Sequence, residues 1–445
     1  MTSLVYPLMN NNSKKNTAVP SLRFPEFQNT EGWGERKLSE VLIEHGSKSA
    51  GDEEVFSVSV HKGVINQIEH LGRSFSAATT NHYKRVLPHD VIYTKSPTGD
   101  FPLGIIKQSK VAVPVIVSPL YGVFTPETSA LGYILNVYFE SSVNTINYLS
   151  SIVQKGAKNT INISNDTFLS KALFLPSNKG EQQKIAACLS SIDDLLTAQS
   201  QKIEALKAHK KGLMQQLFPA DGETVPVLRF AEFRDTEGWE EIVLLDVTDK
   251  KTKWSFTGGP FGSNLKSSDY VPNGIRIIQL QNIGDGEFNN EYKIFTSKEK
   301  ADELLSCNIY PDDIILSKMG DPVGRACLIP NIHNRYVMCS DGIRLVVDEK
   351  RFSKYFIYTI INGSQLRSLV EKTATGSTRK RIGLDDLKNL PMIIPKKLKE
   401  QEKISDCLST IDDLISAESE KMEALKGHKK GLMQQLFPNV SDMKK

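Results

Sequence analysis

Two stretches of the chain place apolar residues on a spacing wider than a strand's. In the first, Ile185, Leu189, Ile192, Leu196, Ile203, Leu206, Leu213 and Leu217 follow one another by fours and threes or their sums. In the second, Ile404, Leu408, Ile411, Ile415, Met422, Leu425, Leu432 and Leu436 do the same. A seam recurring about every 3.5 residues marks helices wound around a partner. The pattern predicts two long helices, 179–220 and 398–438, forming a coiled coil.

Polar residues on that seam set its orientation. Gln199 and Lys210 fall on it in the first stretch, Glu418 and Lys429 in the second. A polar side chain on a buried seam costs stability, and so it fixes register. A parallel, in-register pair would stack Lys210 on Lys429, which is unfavourable. One antiparallel register instead sets Gln199 opposite Lys429 and Lys210 opposite Glu418. It also sets Leu196 against Leu432, Ile203 against Leu425 and Leu206 against Met422. At about 1.5 Å per residue each helix is about 55 Å long. That is the span of roughly 16 base pairs of B-DNA.

The two stretches are copies of one another. Glu181 to Pro219 and Glu400 to Pro438 align without a gap and agree at about 29 of 39 positions. A second repeat opens each half: LRFPEFQNTEGWGERKLSEV from Leu22 and LRFAEFRDTEGWEEIVLLDV from Leu228. Between opening and helix the halves differ, and the second is longer by about a dozen residues. Each half is therefore a start motif, a variable region and a long helix. The divisions are a polar mobile tail 1–20, a first domain 21–178, a second domain 221–397 and a tail 439–445. PADGETVP, 219–226, breaks the first helix and links into the second half.

The variable regions read as α/β. Short β-branched runs, Val111 to Val117, Arg276 to Leu280, Asp313 to Leu316 and Leu345 to Val347, are punctuated by Gly, Asn, Asp and Pro. The pattern turns helical from Tyr133 to Leu149 and from Tyr355 to Ile361. The predicted fold is α/β: two α/β domains separated by two long helices in an antiparallel coiled coil, a pseudo-twofold repeat.

Composition is that of an ordinary globular chain: 39% hydrophobic, 24% charged, mean hydropathy −0.29. A net charge of +3 is too small by itself to argue for nucleic acid, so charge must be read locally. Cys188, Cys307, Cys327, Cys339 and Cys407 form no C-x-x-C pair, which disfavours zinc. Such sparse usage fits a reducing cytoplasm. No window reads as a transmembrane helix or a signal peptide.

These residues resemble a known family. EQQKIAACLSSIDDLL…IEALKAHKKGLMQQLFP, present twice, is similar to the helical regions of type I restriction–modification specificity subunits. The LRFPEF…GW and LRFAEF…GW openings resemble the starts of that family's target-recognition domains. In the second half GGPFGSNLKSSDY, IIQLQNIGDGEF, YPDDIILSKMGDPVGRACLIP and TGSTRKRIGLDDLKNLPMIIP are similar to it as well. The first half departs further: it lacks a GxPFG-type loop, and GAKNTINISNDTFLSKALFLP matches the second half only in outline.

The resemblance implies a non-catalytic subunit whose two recognition domains bind the halves of a bipartite, asymmetric site on double-stranded DNA. It implies helices that set the unread spacer and dock two methyltransferase (M) subunits. Restriction and motor (R) subunits would complete the enzyme. No cofactor would bind this chain; S-adenosylmethionine would sit in the methyltransferase partner. The localisation implied is cytoplasmic, with no membrane contact.

Several residues suit DNA contact, each beside a plainer reading. Arg379, Lys380 and Arg381, with Ser377 and Thr378, form a basic run for phosphate or a guanine edge, or a solvated turn. Gln279, Gln281 and Asn282 have the groups to pair with adenine, or form the polar face of an edge strand. Lys318 and Arg325 flank glycines that let backbone approach phosphate, or make a plain hairpin. Lys266 lies in the GGPFGSNLKSSDY segment. In the first half Arg73, Asn81, His82, Lys84 and Arg85 interleave basic, polar and aromatic residues, and Lys95, Lys155 and Lys158 join them. Taken alone, these are also ordinary surface loops. The HKK runs, His209 to Lys211 and His428 to Lys430, complement the helix dipole. Asp193-Asp194 and Asp412-Asp413 lie beside the seam without clustered His, so surface or partner contacts suit them better than metal.

No nucleotide-binding G-x-x-x-x-G-K-[ST] loop occurs, and no N/D-P-P-Y motif or Gly-rich loop of an adenine methyltransferase. That disfavours a self-sufficient enzyme. The competing class is a non-DNA coiled-coil adaptor that organises protein partners.

Overall fold

The computed structural model describes residues 17–73, 76, 79–155 and 161–438. Tail residues 1–16 and 439–445 and the candidate Lys158 lie outside the described residues, as does the side chain of Lys155. The chain divides into two compact units, 1–200 with 420–445, and 201–419. Both divisions fall inside a long helix, Lys179–Leu217 or Leu398–Leu436. Each unit thus holds one variable domain and one half of each helix.

In unit one the helix segments run antiparallel. Ile185 and Leu189 are buried in one cluster with Leu436, and Leu432 packs against it. Farther along, Lys429 Nζ reaches Asp193 Oδ1 at 2.7 Å and Glu140 Oε2 at 2.7 Å. Unit two repeats the arrangement. Ile404 and Leu408 share a cluster with Leu217, against which Leu213 packs. Lys210 Nζ lies 2.6 Å from Asp412 Oδ1, and Lys202 pairs with Glu418.

The antiparallel sense agrees with the seam, but the register does not. Leu432 packs with Leu189 rather than Leu196, a slide of about one heptad. Lys210 pairs with Asp412, not Glu418, and Lys429 with Asp193 and Glu140, not Gln199. A whole-heptad slide returns apolar residues to the seam, so periodicity alone does not choose between registers. The domains supply the choice. Tyr133 Oη donates to Asp193 Oδ2 at 2.6 Å, and Tyr355 Oη donates to Asp412. In each unit a helix lysine and a domain tyrosine meet on one carboxylate.

The repeated start motif locks each domain to its helix. Arg23 donates through Nε and Nη2 to both carboxylate oxygens of Glu181, at 2.7 and 2.8 Å. It also donates to the carbonyls of Thr30 and Glu31, while Trp33 Nε1 donates to Glu181 at 3.1 Å. In unit two Arg229 makes the same bonds to Glu400, Thr236 and Glu237, and Trp239 the same bond to Glu400. The invariant-looking LRF…GW letters are thus a docking device. The tail prediction is corrected at its end, because Thr17–Ala18 is a strand paired with Gly34 and Trp33.

Both domains are built on a four-stranded antiparallel sheet of the same order. In unit one it runs Leu42–Glu44, Gly122–Pro126, Val91–Tyr93, Ile106–Gln108. In unit two it runs Phe256–Gly258, Gly342–Leu345, Ile314–Ser317, Ala326–Leu328. The predicted run Asp313 to Leu316 lies almost wholly on a strand. Val111 to Val117 shortens to Val115–Val117, and Leu345 to Val347 gives way to Gly342–Leu345. Unit two has a five-stranded sheet around Ile275–Ile278, where unit one has the shorter pairs Phe56–Ser59 with Gly63–Asn66 and Lys84–Val86 with Val115–Val117. The predicted helical regions are Ser129–Glu140 with Ser142–Leu149, and Lys354–Asn362.

Candidate nucleic-acid interface

In unit two the buried strand Ile314–Ser317 delivers Lys318 to the sheet's end. There Lys318 N donates to Asp341 O at 2.6 Å, and its carbonyl accepts from Ile382 N at 3.0 Å. Met319 and Gly320 then pair with Arg381 and Lys380. So the two basic candidates, some sixty residues apart in sequence, lie side by side. The segment 375–381 is a hairpin closed by paired bonds between Thr375 and Arg381, at 2.9 and 2.8 Å. Its turn needs Gly376, whose φ is 105° and whose missing Cβ would lie 2.8 Å from Arg379 O. Ser377, Thr378 and Arg379 project at the exposed tip.

Part of the charge is already engaged. Arg381 Nη2 lies 3.0 Å from Asp341 Oδ1, and Lys380 pairs with Glu371. Arg325 lies on the same loop, its Nη2 3.5 Å from where a Cβ on Gly320 would stand. Its Nε is buried without a hydrogen-bond partner among the described residues. Arg367, which sequence reasoning missed, shares that condition at Nη1. Burial holds its guanidinium below the ordinary value, Asp285 opposes this, and Arg325 adds to it. Arg367 sits in the helix Ser364–Thr373, where an arginine in an amphipathic pattern gives no signal.

The polar candidates separate. Asn282 is fully buried and structural: it accepts from Gln279 N at 2.8 Å and donates to the carbonyls of Asn289 and Tyr292. It has no donor left for a base edge, which corrects that assignment. Gln281 is exposed, and Gln279 is half-buried with Nε2 3.3 Å from Tyr270 Oη. Lys266 is exposed at the start of the short helix Ser267–Asp269, its backbone N–H bonded to Asp269.

In unit one Lys95 follows Val91–Tyr93 as Lys318 follows Ile314–Ser317. Burial and the charge of Lys84 hold the Lys95 ammonium below the ordinary lysine value, against the pull of Glu44. Lys84 and Asn165 both bond to Glu44, at 3.4 and 2.5 Å. Thus Lys84 and Lys95 come together, and Asn165 joins them. Arg85 does not: it points to Glu53 at 2.8 Å, beside a cavity of about 270 Å³ also lined by Asp52 and Glu54. Acidic walls are unfavourable to phosphate, so the structure sets Arg85 apart from Lys84 and Lys95. Arg73, Asn81 and His82 are exposed on the connecting loop.

The sequence and the fold both have known counterparts. Residues 236–426 match the family described as the type I restriction modification DNA specificity domain. The type I restriction enzyme MjaVIII specificity subunit of Methanocaldococcus jannaschii is 24% identical over 266 residues, 58% of this chain and 59% of that protein. The putative type I restriction enzyme MjaX specificity subunit of the same organism is 29% identical over 295 residues, 63% and 62% respectively. The chain thus matches about three fifths of the length of these relatives. In fold it resembles the S subunit of a type I restriction–modification system from M. genitalium, with a TM-score of 0.60 at 15% identity. That match covers 95% of this chain and 100% of the other. Among the described residues no helix is long and apolar enough to cross a membrane.

Proposed function

We propose that this chain is a type I restriction–modification specificity subunit that reads a bipartite DNA site and catalyses nothing itself, a reading supported by the family match over 236–426 and by the similar specificity subunits. The observation that carries this reading is the convergence of Lys318, Lys380 and Arg381 at one sheet end, with the Arg379 hairpin tip beside them. The equivalent sheet end of unit one presents Lys95, and Lys84, on the separate strand Lys84–Val86, bonds to Glu44 close by. Unlike loops on a shared sheet suit two different half-sites, and phosphate contacts from both would hold the register.

The partners follow from the same reading. Two methyltransferase subunits dock on the repeated helices, each carrying the S-adenosylmethionine that supplies the methyl group. Restriction subunits join them, in the cytoplasm where such a complex meets DNA. A coiled-coil adaptor without DNA explains the helices but leaves the basic sheet ends without a role.

The test is to map methylated adenines in DNA from cells carrying this chain and its methyltransferase partner. One asymmetric motif with a fixed gap is the expected result. A palindromic or gapless motif, or methylation by the chain alone, overturns the reading. In vitro, binding of the complex should be sequence-selective and fall steeply with salt.

A further inference from the structure

Phe261 is 83% exposed, whereas the next most exposed aromatic among the described residues, Tyr292, is 44% exposed. An aromatic ring in water contributes little to the fold and is free to meet a ligand. The loop that carries it is built to a fixed shape. Gly259 N donates to Gly342 O at 2.8 Å, and a Cβ on Gly259 would stand 1.7 Å from Cys339 O. Only glycine fits that approach. Pro260 is buried beside it. Asn264 N closes the tip on Phe261 O at 2.8 Å, and Leu265 anchors the far side against the cluster of Ala301, Leu304 and Val337.

The support of this loop is also the support of the basic site. The turn Cys339–Gly342 that clamps Gly259 carries Asp341, which holds Lys318 through its carbonyl and Arg381 through its carboxylate. A rigidly presented ring therefore shares its base with the cations proposed to hold phosphate. We propose that Phe261 is an apolar wedge that enters the base stack of the half-site read by unit two. The idea rests on the DNA-reading assignment and deepens it. A side chain inserted between base steps gains stacking and kinks the duplex, and a glycine-flanked loop tip is narrow enough to enter a groove. The first half has no such loop after Leu42–Glu44, where the chain reads HGSKSAG. The wedge is therefore expected in one half-site only.

The experiment uses the complex with its methyltransferase partner and a duplex carrying the mapped site, with 2-aminopurine placed in turn at positions of each half. Wild type should raise fluorescence in the half read by unit two and leave the other half unchanged. Phe261→Ala should abolish that rise and weaken target binding about tenfold, with non-specific binding unchanged. Phe261→Leu should retain most of both effects. Because the ring is in solvent, all three proteins should melt alike. The proposal is overturned by a wild-type signal that survives in Phe261→Ala, by binding that does not change, or by a loss of partner assembly instead of DNA affinity. If wild type itself shows no sequence-selective binding, the DNA-reading assignment fails and the wedge falls with it.

Discussion

Lys429 and Asp193 form an ion pair of 2.7 Å between opposite long helices, with side chains only 13% and 15% exposed. The equivalent pair in unit two, Lys210 and Asp412, is 22% and 37% exposed. Removing the cation from a buried pair costs about 3 kcal/mol, eased here because Lys110 Nζ also lies 3.4 Å from Asp193 Oδ2, whereas wetter pairs cost about 1 kcal/mol. Lys429→Met should therefore destabilise unit one more than Lys210→Met destabilises unit two. Hydrogen exchange across helix residues 179–200 and 201–217 measures this separately. Equal losses would contradict the burial argument.

The same carboxylate gives unit one an acid limit. Burial pushes the Asp193 carboxyl up, but Lys429 and Tyr133 outweigh it and hold it below the ordinary value. A depressed acid stabilises the fold above its unfolded pKa, about 3.9, and loses that contribution as pH falls through the folded value. Unit one should weaken below about pH 4. In Lys429→Met that part of the acid loss should flatten. A titration curve unchanged by the substitution would assign the acid sensitivity elsewhere.

The contrast between seam and register shows what the sequence made legible. The apolar period is written in Ile185, Leu189, Ile404 and Leu408 and gives helices and pairing, while Lys210 and Lys429 on the same seam give the antiparallel sense. The register depends on Tyr133 and Tyr355, which reach Asp193 and Asp412 only once the domains are folded. Nothing local marks those aspartates as different from Asp194 and Asp413. Likewise Lys318 and Arg381 are each visible as basic residues, but the pairing of Met319 with Arg381 that brings them together is long-range. Asn282 and Gln281 look alike in a polar run, and only burial separates them.

Arg229 is expected to resist conservative replacement. It bonds both oxygens of Glu400 and two carbonyls, with both side chains almost fully buried. Arg229→Lys keeps the charge and loses the fork, so it should recover little of the roughly 3–5 kcal/mol lost in Arg229→Ala. The exchange of Arg229→Glu with Glu400→Arg should also fail, because the carbonyls of Thr236 and Glu237 would face a carboxylate. Urea midpoints of the three variants decide it. Rescue by the exchange would show that the ion pair alone matters.

Salt dependence separates phosphate contacts from bystanders. Arg379→Ala and Lys318→Ala should each lower the slope of log affinity against log salt by about one, across all sequences. Arg85→Ala should leave it unchanged, since that guanidinium faces Glu53. Fluorescence anisotropy with the assembled complex at several salt concentrations gives the slopes. A fall for Arg85→Ala would return that residue to the interface.

Asn282 and Gln281 should part company in stability and in binding. Asn282→Ala removes one acceptor from Gln279 N and two donors to the Asn289 and Tyr292 carbonyls, supplied by a side chain that is itself fully buried. Leaving such groups unpaired costs about 1–3 kcal/mol each, though relaxation recovers part of that. The variant should unfold at clearly lower urea while the folded fraction binds target DNA with the wild-type salt slope. Gln281 is exposed, and its backbone carbonyl accepts from Asn289 Nδ2 at 3.2 Å. Gln281→Ala should keep wild-type stability and relax base preference at one position, visible as a degenerate letter in the methylation motif. If Asn282→Ala changes the motif at unaltered stability, its side chain does reach a base, and the buried network assigned to it is wrong.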